Sequence, residues 1–130
     1  MKITKHFTLQ EFACHDANRT EPAGSALENV KELAKNLEVL REHTGKAIII
    51  NSGYRTIAYN EKQKGHSKVS QHLYGKAADI VIPGMTPEEV AVTIEKLIAA
   101  GEMKKGGVGR YNNFTHYDIR GTQARWNYRT

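Results

Sequence analysis

The sequence has 130 residues, 39% hydrophobic and 25% charged, which suits one domain (residues 1–130) with a substantial apolar core. Its single cysteine, Cys14, excludes an intrachain disulfide and a cysteine-rich zinc site. The net charge of +5 favours an anionic partner, but the basic residues are scattered, with Lys104-Lys105 the only adjacent pair, so a solvated surface is a better account than a nucleic-acid groove.

Met1 to His6 contains no apolar run of the signal-peptide kind, and no segment reaches membrane-spanning length. The expectation is a monomer made in the cytoplasm, with no nucleic-acid partner and no membrane insertion. Thr8 and Glu11 have capping-box spacing and predict a short helix that carries Phe12 inward, with Cys14 a buried thiol behind it. Ser25 and Glu28 form a second such box. After it Leu27, Val30, Leu33, Ala34, Leu37 and Leu40 recur every three or four residues, the apolar face of a main core helix ending near Gly45.

Ala47 to Ile50 reads as a buried strand rich in isoleucine. It delivers Asn51-Ser-Gly-Tyr-Arg-Thr56, where Arg55 follows a glycine bend. An arginine so placed can grip a carboxylate through two parallel hydrogen bonds, or be an ordinary surface residue. Ile57 to Lys62 is expected as a short helix and Gln63 to Val69 as a polar loop with an exposed His66.

Ser70 to Asp79 (Ser-Gln-His-Leu-Tyr-Gly-Lys-Ala-Ala-Asp) is the stretch around which the chain is organised. Gly75 permits a sharp bend between a loop carrying His72 and a strand, Lys76 to Ile82, carrying Asp79. An imidazole and a carboxylate suit zinc if a third ligand arrives from elsewhere; a loop histidine and a strand acid with no shared partner fit the spacing equally well. Pro83-Gly84 make a turn. Thr86-Pro-Glu-Glu89 then starts a helix that buries Val90, Ile94, Leu97 and Ile98 and ends at Gly101. Gly106 to Tyr111 is expected as a strand closing on a turn at Asn112-Asn113. Its glycines suggest a phosphate loop, but no Gly-Lys-Ser/Thr follows, which excludes one. Phe114 to Arg120 reads as a half-buried strand with Phe114, His116, Asp118 and Arg120 on one face and Thr115, Tyr117 and Ile119 on the other.

Together these residues resemble the zinc D-alanyl-D-alanine carboxypeptidase family, which includes phage cell-wall endopeptidases, and in particular its compact single-domain branch. The resemblance is carried by Ser70, His72, Gly75, Ala77 and Asp79, by the later His116, by Ser52-Gly-Tyr-Arg55, and by the opening Phe7-Thr-Leu-Gln-Glu-Phe12. It implies an α+β fold with a central, mainly antiparallel sheet packed against helices and a metal site on the sheet's open face. It further implies that His72, Asp79 and His116 hold Zn²⁺ with water in the fourth position, and that Arg55 orients the substrate. Several branches place an acidic general base three residues before the last histidine; here that residue is Asn113, which cannot take a proton. Asp118 is the best substitute, as the proton shuttle or as the group that fixes a ligand imidazole.

The function implied is a zinc metallopeptidase that hydrolyses a peptide bond in bacterial peptidoglycan, as a D-Ala-D-Ala carboxypeptidase or in the manner of an endolysin. It would be released to act on the wall or engaged in recycling wall peptides. The alternative is a catalytically weak or inactive, zinc-stabilised wall-binding module with the same fold. A nucleic-acid-binding role rests on charge alone.

Overall fold

The computed structural model describes residues 1–63 and 70–130. Five strands form one sheet: β1 (Ile49–Ser52), β2 (Ala77–Val81), β3 (Gly107–Arg110), β4 (Thr115–Asp118) and β5 (Ala124–Asn127), in the spatial order β1-β2-β4-β3-β5. Neighbours run antiparallel except β3 and β5, which are parallel. The sheet does not close, and β1 and β5 are its edges. With α1 (Ser25–Thr44), α2 (Ile57–Glu61) and α3 (Pro87–Ala99), this is an α+β fold built on a mainly antiparallel sheet.

One face of the sheet is dry. Val30, Leu33, Ala34, Leu37 and Leu40 of α1 and Val90, Ala91, Ile94 and Leu97 of α3 share a core with Ala78, Ile80, Val108 and Tyr117 of the strands. Side chains alternate along a strand, so Asp79 of β2 and His116 and Asp118 of β4 emerge on the opposite, open face. The register sets them side by side: Asp79 pairs with His116, and His116 also lies opposite Gly109 of β3. Burial of the apolar face therefore aims the polar residues. A slip of one residue would turn His116 into the core and Tyr117 out.

Local chemistry explains most element ends. Glu11 accepts hydrogen bonds from Thr8 N (2.8 Å) and Thr8 Oγ1 (3.2 Å), closing the expected short helix, which is a 3-10 turn over Leu9–Phe12. Thr86 caps α3: its hydroxyl accepts from Glu89 N (3.1 Å), while Glu89 accepts from Thr86 N (2.8 Å). Cys14 is buried, as expected of a structural thiol.

Three sequence expectations need correction. The box at Ser25 does not form, because the chain enters α1 through Gly24 (φ +60°, ψ −131°) and Ser25 is already the first helical residue. The Ala47–Ile50 run is not a buried strand. Pairing begins at Ile49, which is 48% exposed, and among the described residues β1 pairs with β2 alone, at the edge of the sheet. The Phe114–Arg120 strand is shorter than expected, Thr115–Asp118. Strand β5 had no foreshadowing: Ala-Arg-Trp-Asn alternates apolar and polar over only four residues, too short a pattern to announce a strand, and the segment is held by pairing with β3 and by Arg125, which donates to Glu95 (2.7 Å) and to the Gly106 carbonyl (2.6 Å). Of the loop expected over Gln63 to Val69, only Gln63 lies within the described residues, and His66 lies outside them.

The N-terminal segment is tied to α1 through Glu38, which accepts from Thr4 Oγ1 (2.7 Å) and His6 N (2.6 Å) and meets His6 Nδ1 at 2.7 Å. Burial works against the carboxylate, but these bonds outweigh it and lower its pKa. A lowered folded-state value means stability present above the unfolded carboxylate pKa and lost as pH falls through the folded one. Glu38→Ala should therefore cost about 2 kcal/mol near neutrality. The loss should vanish below the carboxylate range, as denaturant melts at both pH values would show.

Candidate metal centre

His72 is positioned by the turn that the Ser-x-His-x-x-Gly pattern encodes. Ser70 Oγ accepts from His72 N (3.2 Å) and starts a 3-10 turn over Gln71–Tyr74, which ends at Gly75 with φ +73°. A Cβ at Gly75 would lie 2.5 Å from the Ala26 carbonyl oxygen of α1, so both conformation and space require glycine there. The His72 carbonyl accepts from Arg55 N (3.0 Å), joining this turn to the chain leaving β1.

On the open face, one ligand atom from each of His72, Asp79 and His116 lies within 4.8 Å of the other two, and all three residues are buried. Asp79 Oδ1 stands 3.3 Å from His72 Nε2 and 3.0 Å from His116 Nδ1. The far nitrogen of each ring is engaged. His72 Nδ1 lies 2.7 Å from the Gly53 carbonyl, and His116 Nε2 lies 2.7 Å from Asp118 Oδ2. A carbonyl and a carboxylate can only accept, so the far nitrogens carry the protons and the lone pairs of His72 Nε2 and His116 Nδ1 turn towards Asp79.

Two lone pairs and a carboxylate oxygen facing one another repel unless a cation or extra protons sit among them. Ligands about 2.0–2.1 Å from a tetrahedral zinc stand roughly 3.4 Å apart, close to the spacings seen here. The residues present therefore fit a zinc ion in both geometry and donor chemistry. The titration behaviour has the same origin. Burial favours neutral forms, yet the histidines hold Asp79 well below the usual carboxylate range, while Asp118 and Asp79 raise His116.

Asp118 lies on the side of the His116 ring away from Asp79. It is fully buried and saturated: it accepts from Gly107 N (2.8 Å), from Arg120 N (3.2 Å), Nε (2.9 Å) and Nη2 (2.7 Å), and from His116. Gly106 and Gly107, which in sequence suggested a phosphate loop, make room for it. A Cβ on Gly107 would fall 2.3 Å from Asp118 Oδ2, and one on Gly106 would collide with the Asp118 carbonyl.

Arg55 reaches the same face. Its Nη2 is 3.6 Å from Asp79 Oδ2, while Nε donates to Ser52 Oγ and Nη1 to Asn60 Oδ1, both at 3.3 Å. These contacts are long, and the side chain keeps 17% of its surface exposed. Asn113 is exposed in the turn between β3 and β4.

Sequence inspection missed an aromatic wall beside His116. The Trp126 ring lies 4.8 Å from the His116 ring and its Nε1 donates to the Tyr111 hydroxyl (2.8 Å); Tyr111 stacks on Phe114 at 4.3 Å and meets Tyr128 edge-on at 5.6 Å. Trp126 can lie there because Gly109 is beneath it, where a Cβ would come within 2.4 Å of the indole. The period of two from Gly109 to Tyr111, read with Phe114 and His116 across the turn, was the one signal that could have announced this wall.

The family model described as Peptidase M15 matches residues 5–118 of the chain, a span that includes His72, Asp79, His116 and Arg55. No curated protein matches the chain significantly. Among the described residues, no helix is long and apolar enough to cross a membrane.

Proposed function

The chain belongs to the peptidase M15 family, whose members are in general zinc-dependent, and from that premise we propose that it is a zinc metallopeptidase hydrolysing a peptide bond in bacterial cell-wall peptides. The observation that supports this best is the convergence of two imidazole lone pairs and one carboxylate on the open face, each imidazole held by an acceptor behind it. His72, Asp79 and His116 are the proposed ligands. Zinc bound there would supply Lewis acidity to a scissile carbonyl and to an attacking water. The protein's own part is to keep both histidines in their liganding tautomers, through the Gly53 carbonyl and Asp118, and to leave one side of the site open to an extended peptide. Of the two roles that the sequence left open for Asp118, we assign it the second, orienting His116.

Arg55 is proposed to bind a carboxylate or carbonyl of the substrate. Its long contacts contribute little to folding, so Arg55→Ala should move the melting temperature by only a few degrees. It should lower kcat/KM ~10–100-fold, the loss expected for one charge-assisted hydrogen bond. A large drop in melting temperature would instead make Arg55 a structural counter-ion of Asp79.

The test of the function is digestion of purified peptidoglycan, with mass analysis of the released fragments, with and without a chelator and after zinc is restored. Fragments cut at one bond, lost on chelation and regained with zinc, are expected; a protein that holds zinc and binds the wall yet releases nothing is the wall-binding module instead.

A further inference from the structure

We infer that Tyr111 is a catalytic residue whose hydroxyl donates a hydrogen bond to the scissile carbonyl oxygen as that oxygen gains negative charge. The inference rests on the zinc-peptidase reading above and adds a group that reading does not contain. Arg110, the last residue of β3, turns towards α3, where it meets Glu88 (3.0 Å) and Glu95 (2.9 Å), while Tyr111, just beyond the strand, meets Trp126 beside His116. There its oxygen accepts the Trp126 Nε1–H, and Trp126 in turn lies against His116. The phenol is thereby one indole away from a proposed metal ligand, clamped between Phe114 and Tyr128.

A tyrosine hydroxyl has one proton to give. The Trp126 bond occupies its oxygen as an acceptor and leaves that proton directed elsewhere, and among the described residues nothing accepts it. Burial raises the phenol pKa, against the Trp126 bond and with a lesser contribution from the negative charge of Asp79. The group therefore stays protonated through neutral pH and is fitted to donate. A preformed donor at the carbonyl oxygen acts most strongly in the transition state, when the charge has developed.

Tyr111→Phe keeps the ring and its stacking on Phe114 and removes only the hydroxyl. The expected result is an unchanged zinc content, a melting temperature lowered by a few degrees at most as Trp126 Nε1–H loses its acceptor, an unchanged KM, and a kcat in the peptidoglycan digest lowered ~10²–10³-fold. A phosphinate analogue of the dipeptide cut in that digest, which mimics the charged tetrahedral state, should bind the variant weaker by a similar factor in calorimetry, while the cleaved product binds equally well. Trp126→Phe separates donor from prop, since it retains the Tyr111 hydroxyl and loses the indole N–H together with part of the ring that packs on His116; it should cost ~10-fold or less.

Wild-type kcat and phosphinate affinity in Tyr111→Phe would overturn the inference and leave the peptidase reading standing. So would equal losses in both variants accompanied by weakened zinc binding, which would make the pair a brace for His116. A wild-type protein that releases no fragments overturns the peptidase reading, and this inference with it.

Discussion

Alanine in place of His72 or His116 should reduce bound zinc from one equivalent per chain to background and abolish peptidoglycan cleavage. The proposed ligand set has three protein donors, and a catalytic zinc that loses one of three is left with two weak anchors and open solvent. Metal-ion catalysis is worth several kcal/mol of transition-state stabilisation, so the loss of rate should reach at least ~10³-fold. The two substitutions differ in a way that checks the geometry. His72→Ala leaves the Gly53 carbonyl facing a small gap next to solvent. His116→Ala also deprives Asp118 of one of its donors and Trp126 of the ring it packs on, so it should destabilise the metal-free protein more. Metal analysis after gel filtration, with melting curves of the chelated proteins, reads both effects. Full zinc occupancy in either variant would remove that histidine from the site. Because both imidazoles must be neutral to bind a metal, zinc affinity should also fall as the solution is acidified.

The sequence brought the three proposed ligands into view because each sits in a pattern with a local cause. Ser70 and Gly75 begin and end the turn that holds His72, and the alternation in β2 and β4 sends Asp79 and His116 to the face opposite Ala78 and Tyr117. Helices α1 and α3 were legible for the same reason, since their apolar stripes and the Thr86 cap are short-range signals. What was hidden depends on partners distant in sequence. The run at Ala47 to Ile50 looks buried throughout until one knows that, among the described residues, β1 is flanked by β2 alone, and β5 owes its existence to a parallel neighbour and to Glu95 on α3. The glycines at 106, 107 and 109 are uninterpretable along the chain, because their reasons are the Asp118 backbone carbonyl, the Asp118 carboxylate and the Trp126 indole that fill the space above them. Asp118 was found as a residue on the right face. Its neighbours Arg120 and Gly107 decide what it can do there.

Asp118→Asn is the substitution in which those neighbours speak most clearly, and its expected result is loss of metal rather than loss of proton transfer. Burial alone would raise the Asp118 carboxyl, but the hydrogen bonds from Arg120, His116 and Gly107 hold it well below the ordinary range. So strongly stabilised an anion is a poor base, since a useful one has a pKa near the working pH. It also lies across the His116 ring from Asp79, away from where the substrate's water would be activated. Its fitting role is to accept the His116 Nε2 proton and keep the Nδ1 lone pair free. An asparagine amide can still accept from Gly107 N, but its NH₂ then takes the place of Oδ2 and faces both Arg120 Nη2 and His116 Nε2, two donors. Turned towards His116, it would favour the tautomer with the proton on Nδ1, the nitrogen needed by zinc. Zinc should bind ~10–100-fold more weakly, and activity should fall in proportion at limiting zinc and recover as zinc is raised. Stability should fall by about 3 kcal/mol, because the Arg120 guanidinium loses a buried partner, which corresponds to roughly 10 °C in melting temperature for a chain of this size. Zinc titrations monitored by both metal content and rate separate the cases. Normal zinc affinity with a rate that no excess zinc restores would make Asp118 the proton acceptor after all. Normal affinity and normal rate would show that the Trp126 stack alone is enough to hold the His116 ring.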